Sequence, residues 1–306
     1  MTAGAGRPDG ARTRAVVDGA AQQPDLPPRA GAGGASAGQA AAAADSAASD
    51  RVLVQRDGAV ARVTLSHPGR LNAITVAMWR QLRQAFDTFS ADGSLRCVVV
   101  AGEGGNFAAG ADIREFPRVR GDRAAVRHYH REVLAPALRA VAHCPHPVVA
   151  EIEGVCVGGG LEIASQCDLR IAAESARFGV PINRLGFPMA PEEMQGLLAL
   201  AGRAATLAIL LEGRVFGASE ALRLGLLTRA VPDGELADAV RDCVAGIQRG
   251  APLAARINKR QSRRLLDAAP LSEAEYDDYF SYADSRDHRE GVRAFLAGQS
   301  PTFTGD

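Results

Sequence analysis

The sequence predicts an α/β core followed by a helical last third. Three observations carry that prediction. Between residues 50 and 172, short apolar runs alternate with amphipathic stretches of helical period, the pattern of strands and helices layered around one core. Beyond residue 204 nearly every segment has helical spacing, interrupted by one short apolar run at 227–231. Twice a strand runs through small residues directly into a helix start, at Ala108-Ala109-Gly110-Ala111 and at Gly158-Gly159-Gly160.

Composition excludes several classes. The 306 residues are 47% hydrophobic and 23% charged, ample for a large core. Formal net charge is zero and aromatics are 5%, so neither a nucleic-acid partner nor an anionic membrane surface is expected. No uninterrupted apolar run reads as a membrane span. Cys97, Cys144, Cys156, Cys167 and Cys243 show no paired short spacing. Most sit in apolar stretches and read as buried hydrophobes in a reducing, cytoplasmic compartment. His143 and His146 flank Cys144, but a metal site needs more ligands within reach, and none is expected.

Taken in order, residues 1–49 are mostly Ala, Gly, Pro, Asp and Arg. Such a segment cannot offset its ordering entropy and is expected to be disordered. It has no apolar core of a secretory signal. Residues 51–55 and 59–65 alternate around Asp57-Gly58, a hairpin signal. Residues 76–90 place Met78, Leu82, Ala85, Phe86 and Phe89 on one helical stripe. Residues 96–101 form an apolar strand buried on both faces. Asp112 is placed to cap the next helix. Residues 122–142 read as one long helix, with His128 and His130 on a polar, Arg-rich side and therefore solvated. The strand at 147–152 enters the glycine run, and Glu162 stands one turn into the helix that follows. A strand at 168–172 comes next. Pro191, Glu192 and Glu193 make good helix-start chemistry, proline for its fixed φ and the acids for the dipole. Helices then occupy 204–211, 218–224, 234–248, 252–265 and 272–297, the last with a break near Asp287.

The two small-residue loops suggest chemistry. Three consecutive glycines are costly in a regular element, and serve where backbone must approach something closely or leave N–H groups free. A helix starting there presents unsatisfied N–H groups and the positive end of its dipole. Each loop can offer a free N–H, one near Ala109 and one near Gly159. Two convergent N–H groups suit a developing oxyanion. Glu162 just behind them is a candidate acid or base. Taken alone, each loop is equally a plain connection, and Glu162 a dipole-complementing residue. There is no lysine-bearing phosphate loop, no dinucleotide glycine fingerprint and no nucleophile elbow. What is left is enolate or tetrahedral oxyanion chemistry with a carboxylate.

These residues resemble the enoyl-CoA hydratase/isomerase (crotonase) family. The matching stretches are RLNAIT (70–75), NFAAGADIREF (106–116), PVVAEIEGVCVGGGLEIASQCDLRIA (147–172), ARFGVPINRLGF (176–187), LEGRVFGASEALRLGLLTRAVP (211–232) and RDHREGVRAFLAG (286–298). The resemblance implies an α/β, crotonase-like spiral of ββα repeats with a C-terminal helical trimerisation region. It divides the chain into an N-terminal segment (1–49), a core (50–245) and a helical oligomerisation region (246–306). It implies a homotrimer or dimer of trimers, an acyl-CoA thioester as substrate, no separate cofactor, and a place in fatty-acid metabolism. Ala109 and Gly159 fall on the two oxyanion-hole positions and Glu162 on the first catalytic acid. Arg70, Leu71, Ala73, Ala111, Asp112, Ile113, Gly158 and Ile182 fall on CoA- or substrate-contacting positions. Lys259 and Phe295 lie in helices that, in the family, often reach the nucleotide end of CoA, sometimes across a subunit boundary.

One departure matters. Hydratases of the family carry a second glutamate after the proline of FG-x-P; here Ile182 follows Pro181. Losing one acid–base group costs about 10²–10⁴ in rate. Three outcomes remain open: an isomerase working with a single base, replacement of the missing acid by Glu192 or Glu193, or acyl-CoA binding without turnover. Acyl specificity is expected to be set by walls in 113–131 and 187–194.

Overall fold

The computed structural model describes residues 50–306. The disorder expected of residues 1–49 lies outside the described residues. The chain opens with β1 (Arg51–Asp57), β2 (Val60–Ser66), α1 (Val76–Ala91) and β3 (Cys97–Gly102). Next come α2 (Phe116–Val119), α3 (Arg123–His128), α4 (Ala135–His143), β4 (Val148–Ile152), β5 (Val155–Val157), α5 (Gly159–Gln166), β6 (Leu169–Ala173) and β7 (Arg177–Gly179). The rest is α6 (Pro191–Glu212), β8 (Phe216–Gly217), α7 (Ala218–Arg223), β9 (Arg229–Val231), α8 (Leu236–Arg249), α9 (Pro252–Arg264), α10 (Glu273–Phe280) and α11 (Arg286–Leu296).

Two sheets form. The larger has order β1-β2-β3-β4-β6-β9; the smaller has order β5-β7-β8. The hairpin β1–β2 is antiparallel with Asp57 opposite Val60. Every other pairing in the large sheet is parallel, which is why β3 and β4 read as continuous apolar runs. One face packs on α1 and α4 through Met78, Trp79, Leu82, Phe86, Leu138 and Val141. The other is closed by Leu236, Val240 and Cys243 of α8 against Val99, Val149 and Ile171. Trp79, Phe86, Phe107 and Phe178 are each fully buried, which stabilises the fold by about 1.5–3 kcal/mol per side chain.

The helix expected over 122–142 is broken into α3, a π-helical segment Tyr129–Leu134, and α4. The wider turn rotates Tyr129 and Val133 inward, and the expectation of a solvated His130 fails: its side chain is 12% exposed. Near the C-terminus, α10 and α11 are separate helices with Ser285 as the N-cap of the second, close to the break expected at Asp287. Among the described residues α6 is the one helix long and apolar enough to cross a membrane. Gly202 interrupts it with φ 70° and ψ 174°, and Glu193 is buried within its first turn.

Candidate active site

The site is built where β3, β4 and β5 deliver their ends. After β3, Phe107 and Ala108 run alongside β5: the Phe107 N–H donates to the Glu153 carbonyl and the Ala108 N–H to the Val155 carbonyl, both at 2.9 Å. Ala109 then leaves β5 and donates to the Leu71 carbonyl at 2.9 Å, and Asp112 donates to the Ile74 carbonyl at 2.9 Å. Leu71 and Asn72 both sit in the left-handed region, with φ 49° and 55°. That costs about 1–3 kcal/mol each, and buried Asn72 holds it in place. Its Oδ1 accepts from the His67 N–H at 3.0 Å, and its Nδ2 donates to the Glu103 and Asn106 carbonyls at 2.8 and 2.7 Å.

The second loop is Gly158–Gly160. Gly158 has φ 52° and donates its N–H to the Gly179 carbonyl at 2.9 Å. Gly159 and Gly110 touch: a Cβ on Gly110 would stand 3.3 Å from the Gly159 nitrogen, and one on Gly159 3.4 Å from the Ala111 nitrogen. A Cβ on Gly160 would stand 2.3 Å from the Ala108 carbonyl oxygen. Glycine is therefore required for the two loops to meet.

The loops correct one expectation. The Ala109 N–H is not free, because Leu71 takes it. Among the described residues, the Ala111 and Gly159 N–H groups have no protein acceptor, and they lie on the two segments that touch at the loop contact. Ala111, expected as a substrate contact, is thus the better partner for Gly159.

Glu162 lies behind Gly159 and is 5% exposed. Burial raises its pKa well above the usual carboxylate range, the nearby Glu193 charge raises it further, and Arg120 opposes both. Glu193 comes from the first turn of α6, is 4% exposed, and is hydrogen-bonded to His130 Nδ1. Glu192 points elsewhere, into a cavity of about 450 Å³ shared with Arg139, His143 and Asp168. Arg120 lies over three ring faces, 4.0 Å from the centroid of Phe116, 4.4 Å from Tyr129 and 4.9 Å from Phe187. The Tyr129 hydroxyl accepts from Trp79 Nε1 at 3.1 Å, and Trp79 Cζ2 would be 3.1 Å from a Cβ on Gly159.

Around the rim, Leu71 and Ile113 are exposed apolar side chains, Arg70 is exposed and Ala73 half-buried. Asp112 is buried; its side chain caps the turn at 113–115 and pairs with Arg114, which holds its carboxyl below the ordinary range. It is a cap, as the sequence suggested. Ile182 is half-buried against the core, where it offers no proton.

Lys259 and Phe295, expected toward the nucleotide end of CoA, lie away from the thioester loops. Lys259 Nζ pairs with Asp168 at 2.6 Å and donates to the His146 carbonyl at 2.8 Å, with its side chain 7% exposed. Asp168 follows the far end of α5, so Lys259 lies about a helix length, roughly 12 Å, from Gly159. Phe295 is 85% exposed on α11, beside Val292 and Leu296. Sequence reasoning missed Trp79, Arg120, Tyr129 and His130. The one signal was the placing of acyl-pocket walls in 113–131. Among the described residues no cluster of His, Cys, Asp and Glu is arranged to hold a metal ion.

The family model for enoyl-CoA hydratase/isomerase matches residues 55–306. The chain belongs to the enoyl-CoA hydratase/isomerase family. Members of that family act on acyl-CoA thioesters. A probable enoyl-CoA hydratase of Rhizobium meliloti is 32% identical over 259 residues, covering 83% of this chain and 98% of its own. The crystal structure of an enoyl-CoA hydratase/carnithine racemase from Magnetospirillum magneticum superposes with a TM-score of 0.82 at 44% identity, over 83% of this chain and 96% of that one. An enoyl-CoA hydratase of Mycobacterium smegmatis gives a TM-score of 0.75 at 29% identity, over 82% and 98%. The crotonase-like fold is thus that of the family, and the chain is an enzyme of this type.

Proposed function

We propose that the protein acts on an acyl-CoA thioester through a stabilised enolate, with Glu162 as the acid–base group. The Ala111 and Gly159 N–H groups receive the thioester oxygen. The observation that carries this is a single one: a buried carboxylate stands behind two touching backbone loops, each with an N–H that has no protein acceptor. Donors fixed in advance need no reorganisation when charge reaches the oxygen. Glu162, held above the ordinary carboxylate range, is suited to carry a proton to or from the α-carbon. CoA arrives on the substrate, so no further cofactor is invoked. Arg70, Leu71, Ala73 and Ile113 form the rim that the CoA arm would cross.

Exposed Val292, Phe295 and Leu296 on α11 support the C-terminal helices, from about residue 246, as an oligomerisation surface of a trimer or paired trimers. Five unpaired, buried cysteines support a reducing, cytoplasmic setting.

The test is Glu162→Ala, assayed on crotonyl-CoA for water addition and on a 3-enoyl-CoA for the double-bond shift. Turnover should fall by about 10² or more on whichever substrate the wild type accepts. Survival within threefold removes Glu162 from the chemistry. Isomerisation without hydration would fit Ile182 and a single base.

A further inference from the structure

We propose that Glu193 is a second acid–base group of this site, delivered from the first turn of α6 in place of the carboxylate missing after Pro181, with His130 as its positioning residue. The inference rests on the reading of Glu162 given above.

Two glutamates stand side by side at the start of α6, and dipole complementation accounts for only one of them. Glu192 is half-buried and faces a polar cavity on another side. Glu193 is 4% exposed. A favourable helix dipole offsets only a small part of the cost of withdrawing a carboxylate from water. Helix-start chemistry therefore does not explain why Glu193 is inside.

Packing brings it to Glu162. A Cβ on Gly196 would lie 2.2 Å from Ser165 Oγ, so α5 and α6 are in close contact there. Three residues earlier on each helix stand Glu162 and Glu193, on the same facing stripes. The charge of Glu193 is felt at Glu162.

His130 completes the arrangement. Its Nδ1 is hydrogen-bonded to Glu193 Oε1, and its ring meets Tyr129 edge-on at 5.3 Å. It belongs to the π-helical segment Tyr129–Leu134, and such segments recur at functional sites. Arg120 stacks on the Tyr129 ring of the same wall.

In hydration the steps balance. The Glu193 carboxylate takes a proton from water as the water oxygen bonds to the β-carbon. The electron pair of the carbon–carbon double bond becomes the new bond between the α-carbon and the thioester carbon, and the carbonyl π pair moves onto the thioester oxygen. Protonated Glu162 then gives its proton to the α-carbon as the carbonyl re-forms. Transfer of one proton from Glu193 back to Glu162 restores the pair, and His130 fixes the orientation of Glu193 throughout. One water is consumed and nothing is oxidised.

The experiment separates the two carboxylates. Wild type, Glu162→Gln, Glu193→Gln and His130→Gln are each assayed for hydration of crotonyl-CoA and for α-proton exchange of butyryl-CoA in D₂O, followed by NMR. Exchange needs one base and the oxyanion donors; hydration needs both acids. Glu193→Gln should lose hydration by about 10²–10⁴ and keep exchange within threefold, while Glu162→Gln loses both. His130→Gln, which can still donate to Glu193, should lower kcat for hydration at least tenfold with KM within twofold. Hydration within threefold of wild type in Glu193→Gln overturns the assignment of Glu193. So does loss of both reactions in Glu193→Gln that Glu193→Asp does not restore. A kcat within threefold in His130→Gln removes His130. A wild type that exchanges α-protons but adds no water overturns Glu193 alone. One that exchanges none overturns the reading of Glu162 as well.

Discussion

Gly160→Ala is the sharpest probe of the two-loop site. An alanine Cβ at 160 would stand 2.3 Å from the Ala108 carbonyl oxygen and 3.1 Å from the Ala108 Cβ. A carbon–oxygen contact settles near 3.3 Å, so the loops must part by about 1 Å. Ala108 cannot yield alone. Its N–H donates to Val155 at 2.9 Å and its carbonyl accepts from Val157 at 3.0 Å, so the whole segment 107–112 moves or α5 does. Overpacking of this kind costs about 1–3 kcal/mol. For a chain of this size that is about 2–4 °C in Tm per kcal/mol. The larger consequence is functional. The Ala111 and Gly159 donors lie on opposite sides of the contact, and a misplacement of about 1 Å costs about 10²-fold in rate. The assay is hydration or α-proton exchange, measured well below the variant's Tm. Gly104→Ala is the control. It has φ +66° with nothing within 4 Å, so it carries backbone strain of about 1–2 kcal/mol and no displacement of the loops. Gly104→Ala should melt lower and turn over normally. A Gly160→Ala protein with activity within threefold of wild type would refute the idea that the loop contact sets the donors.

Three further outcomes are expected. Glu162 has a folded-state pKa above its unfolded value, so the native state binds the extra proton. Its contribution to stability is fully present below pH ~4.3 and is lost as pH rises through the folded-state pKa, with a slope of up to about 1.4 kcal/mol per pH unit. Glu162→Gln should therefore raise stability above the folded-state pKa and flatten the decline that sets in above pH ~4.3; urea titrations at several pH values giving parallel curves for both proteins would contradict this. Asn72→Ala removes three hydrogen bonds while keeping a positive φ, and should cost roughly 2–4 kcal/mol by denaturant unfolding, with Asn72→Gly recovering only the strain portion. Light scattering at micromolar concentration should give a trimer or its double, reduced by Phe295→Glu; a monomer in the wild type sinks the assignment of α11 as an interface.

How much of this was legible in the sequence depends on the range of the signal. The hairpin around Asp57-Gly58, the stripe on α1 and the apolar run of β3 are local patterns, and each appears where periodicity puts it. Asp112 as a cap was also local. The π-helical turn at Tyr129–Leu134 was not readable, because the residues there have ordinary helical spacing and only tertiary packing selects the wider turn. That one miss displaced His130 from solvent to the side of Glu193. Ala109 was misassigned for a related reason. Successive N–H groups along an extended loop point alternately, and which one stays free is decided by Leu71, a residue far away in sequence whose left-handed conformation nothing local announces. The partners of Lys259 were equally illegible, because Asp168 and the His146 carbonyl are brought to it only by the packing of α9.

The charges around Glu162 explain why a buried acid can remain an acid here. Arg120 is the cation whose charge is felt at Glu162, and a guanidinium bonded directly to Glu162 would hold that carboxyl ionised. Arg120 instead lies on the faces of Phe116, Tyr129 and Phe187. Ring faces attract the cation and fix its position without supplying a counter-charge. Its pull on Glu162 is thus outweighed by burial and by Glu193. Glu193, in turn, has His130 as its hydrogen-bond partner, so the two carboxylates do not compete for the same donor. The pocket separates them by environment: one acid with its pKa raised by burial, the other tied to an imidazole. That asymmetry is what a reaction needing one proton given and one taken requires, and its parts come from two segments, Arg120 and His130 from 113–131 and Glu193 from 187–194.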